Sequence, residues 1–355
     1  MIAPRPVANV IGLGLIGGSI ALGLRNHGWR VHGDDADAER TADATARGCI
    51  DASELDAGAD MTFVCVPVLA VVDEVRRALR ETTGVVTDVG SVKGAICADV
   101  EDARFVGGHP MAGSELEGLD GADADMFRGA VWVLTTTPAS ADRSLGVVAG
   151  VVGLLGAEMV AMAPDRHDEM VAVVSHVPHL TAASLMGLAA DGADEHAALL
   201  RLAAGGFRDM TRIASGHPDI WLDICEQNRS AIVSALDRLI TGLTEVRDVV
   251  TTSDRDGLLH RLQRARAARS NLPSRVSRPE QLAEVRIPIP DRTGAAAEIF
   301  TVAASAGINI ASFEVVHLAE SNVGVAVVLV DADVAEQYRK ALSEHGFHPG
   351  VAPLA

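Results

Sequence analysis

Residues Val7–Ile11 form a short apolar run rich in β-branched side chains. It passes directly into Gly12-Leu13-Gly14-Leu15-Ile16-Gly17-Gly18-Ser19, after which apolar residues recur three and four apart to Asn26. A strand that ends in glycines and turns at once into a helix restricts the chain more than any other feature. Gly12 permits the tight turn, Gly14 lets a bulky anion approach the backbone, and Gly17 lets the helix close on the strand. The freed amides and the positive end of the helix dipole then face that anion. Further β-branched runs at 30–33, 61–66, 85–89, 105–108 and 131–134 alternate with helical stretches such as 19–26 and 69–80. Residues 7 to about 162 therefore predict a parallel sheet covered on both faces.

Acids arrive about 20 residues beyond the glycines, where Asp34 and Asp35 close the second run. A carboxylate there hydrogen-bonds a ribose 2′-hydroxyl and repels a 2′-phosphate, which points to NAD rather than NADP. The expected cofactor-binding set is Gly12, Gly14, Leu15, Ile16, Gly17, Asp34 and Asp35, with Asp35 favoured for the ribose. Two later loops fall at the carboxyl ends of strands, where open α/β sheets bind ligands: Thr87-Asp88-Val89-Gly90-Ser91-Val92-Lys93-Gly94 and Gly107-Gly108-His109-Pro110-Met111-Ala112-Gly113-Ser114-Glu115. His109 is the natural proton acceptor, because imidazole titrates nearest neutrality. Lys93 is one of only two lysines, the other being Lys340.

After Ala163 the strands stop, and 165–188, 194–204 and 219–262 read as helices, the last long enough to call for a break near Thr241-Gly242 or a two-helix hairpin. Its apolar face marks a candidate dimerisation element. Ser175-His176-Val177-Pro178-His179 interrupts an apolar helix. His176 and His179 have metal-like spacing but no third ligand, so no metal is expected. Arg208 and Arg212, four apart, would place two guanidiniums on one helical face, a match for a ligand with two carboxylates. Residues 261–279 are Arg-rich with scattered Pro and Ser, and read as a linker. Beyond it, 283–289, 294–306, 308–318, 324–330, 334–345 and 347–351 follow a βαββαβ order, a small ferredoxin-like unit.

Composition narrows the partners. Lys+Arg 30 against Asp+Glu 48 gives a net charge of −18, which repels nucleic acid and anionic membrane surfaces. The four cysteines lie without metal or disulfide spacing. No signal-peptide pattern opens the chain, and no 18-residue uncharged stretch is expected to span a bilayer, so a cytoplasmic protein is expected.

The segments 12–19, 87–94, 107–115, 175–179 and 206–214, in that order, resemble prephenate dehydrogenase. Asp291-Arg292-Thr293-Gly294 and Gly307-Ile308-Asn309-Ile310 resemble an ACT domain, an amino-acid-sensing module. The resemblance implies a Rossmann-type α/β domain (1–163), an all-α helical substrate and dimerisation domain (164–266), a linker (267–282) and a ferredoxin-like α+β ACT domain (283–355). It implies NAD-dependent oxidative decarboxylation of prephenate to 4-hydroxyphenylpyruvate, in tyrosine biosynthesis, by a homodimer. His109 would take the proton of the 4-hydroxyl, and Ser91 would support His109 and lie near the nicotinamide. Arg212 would hold a substrate carboxylate, with Arg208, His176, His179, Ser114, Glu115 and Trp221 in the substrate pocket. Asp291, Gly294 and Asn309 would bind an aromatic amino acid effector, tyrosine by expectation. Rival readings are an arogenate or dual-specificity cyclohexadienyl dehydrogenase, a β-hydroxyacid dehydrogenase, which would need a catalytic lysine in the helical domain, and a sensor without turnover.

Overall fold

The structure is a computed structural model that describes residues 5–114, 116, 118–195, 200–216, 218–270, 282–290, 292, 294–317 and 323–353. In chain order the first elements are β1 (Val7–Ile11), α1 (Leu15–Asn26), β2 (Arg30–Asp34), α2 (Ala38–Ala46), β3 (Met61–Val64), α3 (Val71–Glu81), β4 (Val85–Asp88), α4 (Gly94–Asp99), β5 (Phe105–Pro110), β6 (Val131–Thr135), α5 (Asp142–Leu154) and β7 (Glu158–Ala161). Then come α6 (Pro164–Val171), α7 (Val177–Glu195), α8 (Gly205–Thr211), α9 (Pro218–Gln227), α10 (Arg229–Thr251) and α11 (Arg255–Ser270). The chain closes with β8 (Leu282–Pro290), α12 (Ala295–Ser305), β9 (Ile310–His317), β10 (Val323–Asp331), α13 (Ala332–Glu344) and β11 (Gly350–Pro353). It divides into two compact units: 1–200 with 210–245, and 201–209 with 246–355.

In the first unit seven strands form one sheet in the order β2-β1-β3-β4-β5-β6-β7. Its central strands read as unbroken apolar runs because helices bury both faces; all four residues of β3 are buried. Strands β1 to β5 pair in parallel, as the strand–helix alternation predicts. The sheet is nevertheless mixed. Strand β6 runs antiparallel to β5, with His109 opposite Val133, and β7, which the hydrophobic pattern did not announce, pairs in parallel with β6. The reversal follows from the connection: the described residues between 111 and 130 form no long helix, so β6 returns beside β5 like a hairpin arm.

The helical part departs from expectation in four places. Between α6 and α7 lies a π-helical turn, Ala172–His176. Pro178 has no N–H to give the carbonyl four residues back, and the widened turn just before it absorbs that loss. The expected break at Thr241-Gly242 is absent, since α10 runs through it. The interruption sits instead at Asn228, and α10 ends before Ser253, whose φ of 55° is left-handed. Helix α11 continues to Ser270, into the stretch read as linker. The apolar run is also longer than expected: Pro164–Gly192 is long and apolar enough to cross a membrane by length and composition. Here it holds the buried His176 and His179 and packs Ala172 and Val177 against Val92, Ile224 and Ile232.

In the second unit, four antiparallel strands lie in the order β11-β8-β10-β9, with α12 and α13 between strands in the chain. Alternation along β8 sends Val285, Ile287 and Ile289 into a core with Ile299, Val328, Tyr338 and Leu342. The Tyr338 hydroxyl, buried there, donates to the Ile299 carbonyl at 3.0 Å.

Candidate active site

The glycine turn has the geometry its residues require. Gly12 has φ +92°, and a Cβ on it would collide with the Cys65 carbonyl just beyond β3. A Cβ on Gly17 would overlap the Gly12 carbonyl. Gly14 is different: no atom lies within 4 Å of where its Cβ would be. It is the N-cap of α1, no side chain caps that helix, and Leu15 and Ile16 form the first turn. An uncapped helix start beside an open glycine is a cradle for a diphosphate. Asp35 folds back onto this loop, its carboxylate accepting the Leu13 N–H at 2.7 Å, with an Arg40 nitrogen at 3.3 Å. Asp34 points elsewhere and is held by Arg77 at 2.6 Å. The two aspartates are thus separated in role, and the loop-side acid is Asp35.

At the carboxyl ends of β4 and β5 the chain buries an unusual concentration of polar groups. Asp88 and Lys93 form an ion pair with both side chains fully buried. The other Asp88 contacts are backbone ones: Gly90 N–H donates at 2.8 Å and Gly108 N–H at 3.1 Å. Asp88 therefore ties the end of β4 to β5 one residue before His109. His109 is 8% exposed, and its Nδ1 lies 2.8 Å from His167 Nε2. His167, wholly buried on α6, has Nδ1 2.8 Å from Asp168 Oδ1. Asp168 also accepts the backbone N–H groups of Lys93 and Gly94 at 2.8 Å, so it fastens α6 to the start of α4. Burial, and after it the neighbouring His167, Lys93 and His176, push the His109 pKa well below the ordinary imidazole value. The ring is neutral at physiological pH and able to receive a proton.

The helices supply a second group. Asn228 donates to the Asp168 carbonyl at 2.9 Å and lies 3.2 Å from His176 Nδ1. Burial lowers His176 to about 4, so its ring is neutral too. Trp221 on α9 stacks on His179, ring centroids 3.6 Å apart, and meets the His176 ring edge-on at 6.0 Å. Two neutral imidazoles and an indole make a surface suited to a planar or near-planar ring. Arg212 opens a 3-10 turn, Arg212–Ser215, that packs on α7, the helix carrying His179.

The remaining expected residues fall as follows. Ser91 is half-buried in the loop after β4, and among the described residues the hydrogen-bond partner of the His109 ring is His167. Ser114 is exposed and closes a small turn with Leu116. Glu115 and Asp291 lie outside the described residues. Arg208, on α8, belongs to the second unit and donates from Nε to the Ala203 carbonyl at 3.2 Å. Helix α8 ends at Thr211, so Arg208 and Arg212 do not share one continuous helix. Gly294 has φ +89° and caps α12, and Asn309 is exposed before β9. His167, Asp168, Asn228 and Asp88 were not anticipated. The one cue was His167-Asp168 itself, an ionisable pair at the threshold of a long uncharged helix.

Comparison with known proteins then decides the family. A sequence profile described as the nucleotide-binding domain of prephenate dehydrogenase matches residues 20–161, and one described as its dimerization domain matches residues 163–264. The chain belongs to the prephenate dehydrogenase family. A prephenate dehydrogenase of Bacillus subtilis (strain 168) is 32% identical over 354 residues, covering 94% of this chain and 95% of that one. A crystal structure of prephenate dehydrogenase from A. aeolicus, in complex with hydroxyphenyl propionate and NAD+, is similar with a TM-score of 0.72 at 28% identity, over 77% of this chain and all of that one. Synechocystis arogenate dehydrogenase is similar with a TM-score of 0.68 at 29% identity, over 75% of this chain and all of that one. As a family member the chain is an NAD-dependent dehydrogenase. The open Gly14, the uncapped α1 and Asp35 fit that cofactor: the first two for its diphosphate, the third for its ribose.

Proposed function

We propose that this enzyme catalyses the oxidative decarboxylation of prephenate to 4-hydroxyphenylpyruvate, with His109 accepting the proton of the substrate 4-hydroxyl. NAD bound at the glycine turn supplies the hydride acceptor. The observation that carries the reading is His109 itself: a buried, neutral imidazole at the end of β5, held through Nδ1 and so able to present Nε2 as a base. As the O–H bond breaks, its proton passes to His109, its electron pair forms the ring carbonyl and the hydride leaves the same carbon. Loss of CO₂ then sends the electron pair of the broken C–C bond through the ring to the carbonyl oxygen, which takes a proton to give the aromatic phenol. Aromatisation makes the sequence strongly downhill, so positioning and one base suffice.

The other side chains have matching tasks. Arg212 holds a substrate carboxylate by a bidentate guanidinium contact. His176, with Nδ1 facing the Asn228 amide, keeps its hydrogen on Nε2 as a donor to the substrate, and the His179–Trp221 stack flanks the ring. A neutral donor beside a ring that carries a keto-acid side chain favours prephenate over arogenate. The test is NADH formation from each substrate at equal concentration: faster turnover with prephenate supports the reading, and turnover with arogenate alone overturns the substrate assignment.

The second unit is read as an ACT domain for an aromatic amino acid, tyrosine by preference. Its support is the strand order β11-β8-β10-β9 with a helix after β8 and after β10, the split βαβ plan of ferredoxin-like modules. The effector would sit near Gly294, which adopts a conformation open to glycine, and near Asn309. A homodimer is read from α9 and α10, which expose Ile220, Leu222, Val233, Ile240 and Leu243. A cytoplasmic setting goes with a biosynthetic enzyme of this kind.

A further inference from the structure

We propose that His167 and Asp168 are positioning residues for the proton-accepting ring: together they hold His109 in the tautomer whose Nε2 carries the free lone pair. The inference rests on the reading of His109 as the base and adds two residues to it.

The direction of each hydrogen bond follows from the Asp168 end. Its carboxylate accepts the backbone N–H groups of Lys93 and Gly94, one on each oxygen, both at 2.8 Å. Each oxygen is thus an acceptor, and a carboxylate has only lone pairs to offer. The 2.8 Å contact to His167 Nδ1 therefore requires the hydrogen on that nitrogen. A neutral imidazole has a single N–H, so His167 Nε2 is an acceptor. The 2.8 Å contact between His167 Nε2 and His109 Nδ1 is then made only with a hydrogen on His109 Nδ1. His109 is left with Nε2 bare. When Nε2 takes the substrate proton, the imidazolium has two N–H groups, one still tied to His167, and no proton travels to Asp168.

The setting reinforces this polarity. Charged and titratable groups face His109 from each neighbouring element: Asp88 and Lys93 around the end of β4, His167 and Asp168 on α6, and His176 in the π-helical turn. The buried Lys93–Asp88 pair is self-contained, so Lys93 is not the partner of Asp168 through its side chain. Burial, and with it the nearby Lys93, disfavours charge on His109. Without the tie, the lone hydrogen of His109 could sit on Nε2, where the ring cannot act as a base. An imidazole base in the wrong tautomer or orientation loses about 100- to 10,000-fold in turnover.

The experiment uses the full-length enzyme, its His167→Leu and His167→Gln variants, and ¹⁵N NMR of the histidine rings. Glutamine can accept from His109 through Oε1 and donate to Asp168 through Nε2, so it keeps the polarity of the chain without a titratable ring. In the wild type the His109 signals show hydrogen on Nδ1 and a bare Nε2. In His167→Leu, kcat with prephenate falls by at least about 100-fold, the KM values for prephenate and NAD move by less than about threefold, and the ring loses its single tautomer. His167→Gln recovers at least about tenfold of that loss. A wild-type spectrum with hydrogen on Nε2, or a His167→Leu variant of near-normal kcat, overturns the proposal. Should His167→Leu fail to fold, the wild-type spectrum and the glutamine variant still decide it. His109→Asn separates the two readings: retained turnover there removes His109 as the base, whereas the ring spectra test the tie regardless.

Discussion

His176 lies in the π-helical turn with Nδ1 facing Asn228 at 3.2 Å, and burial lowers its pKa to about 4. In the unfolded chain the same ring titrates near 6.5, so below that pH the unfolded state binds a proton that the folded state refuses. The contribution is fully present above about pH 6.5 and is lost as pH falls toward 4, at most on the order of 3 kcal/mol. The expected outcome is a melting temperature that drops between pH 7 and 4.5, with a shallower drop in His176→Asn, measured by calorimetry across that range. A slope unchanged by the substitution would remove His176 from the acid sensitivity. At this scale much of the site was readable. Gly12, Gly14, Asp35 and His109 answer demands that only one or two residue types meet. His167 and Asp168 were not, because their meaning depends on His109, 58 residues away in sequence, and on two amides at 93 and 94. No local pattern carries such a contact.

At the scale of elements, the glycine turn separates packing from binding. Gly17→Ala forces a Cβ into the Gly12 carbonyl and should destabilise the fold, whereas Gly14→Ala projects into open space. The expected outcome is a lowered melting temperature for the first, and for the second a near-normal melting temperature with at least about tenfold weaker NAD binding. Calorimetric melting with NAD titration checks both. If Gly14→Ala bound NAD normally, the diphosphate cradle would lie elsewhere. Strand–helix alternation located strands β1 to β6, since buried parallel strands leave short apolar runs. The antiparallel turn of β6 was not legible, because strand direction leaves no trace in side-chain period. The helix break was misplaced for a related reason: a glycine such as Gly242 costs an interior helix about 1 kcal/mol, which is too little to end one. The interruption of the helix at 175–179 was legible, and the structure shows beside it a π-helical turn that carries His176.

At the scale of the molecule, a net charge of −18 coexists with a site for which we propose a dianionic substrate. In the first unit the cation assigned to that task is Arg212, while Lys93 is spent on Asp88. The exposed apolar residues of α9 and α10 predict a light-scattering mass near twice 36.9 kDa, and a monomer would refute the dimer. Titration with tyrosine, phenylalanine and tryptophan, with NAD present, belongs beside it; heat with tyrosine is expected, and no heat with any of the three leaves the second unit an assembly module. The central claim concerns one ring and one reaction, and single-turnover NADH formation from prephenate addresses it directly. The wild type should reduce one NAD for each CO₂ released, and His109→Asn should bind NAD as well as the wild type while turning over at least about 100-fold more slowly. Equal rates in the two proteins, or no NADH from prephenate in the wild type, would contradict it.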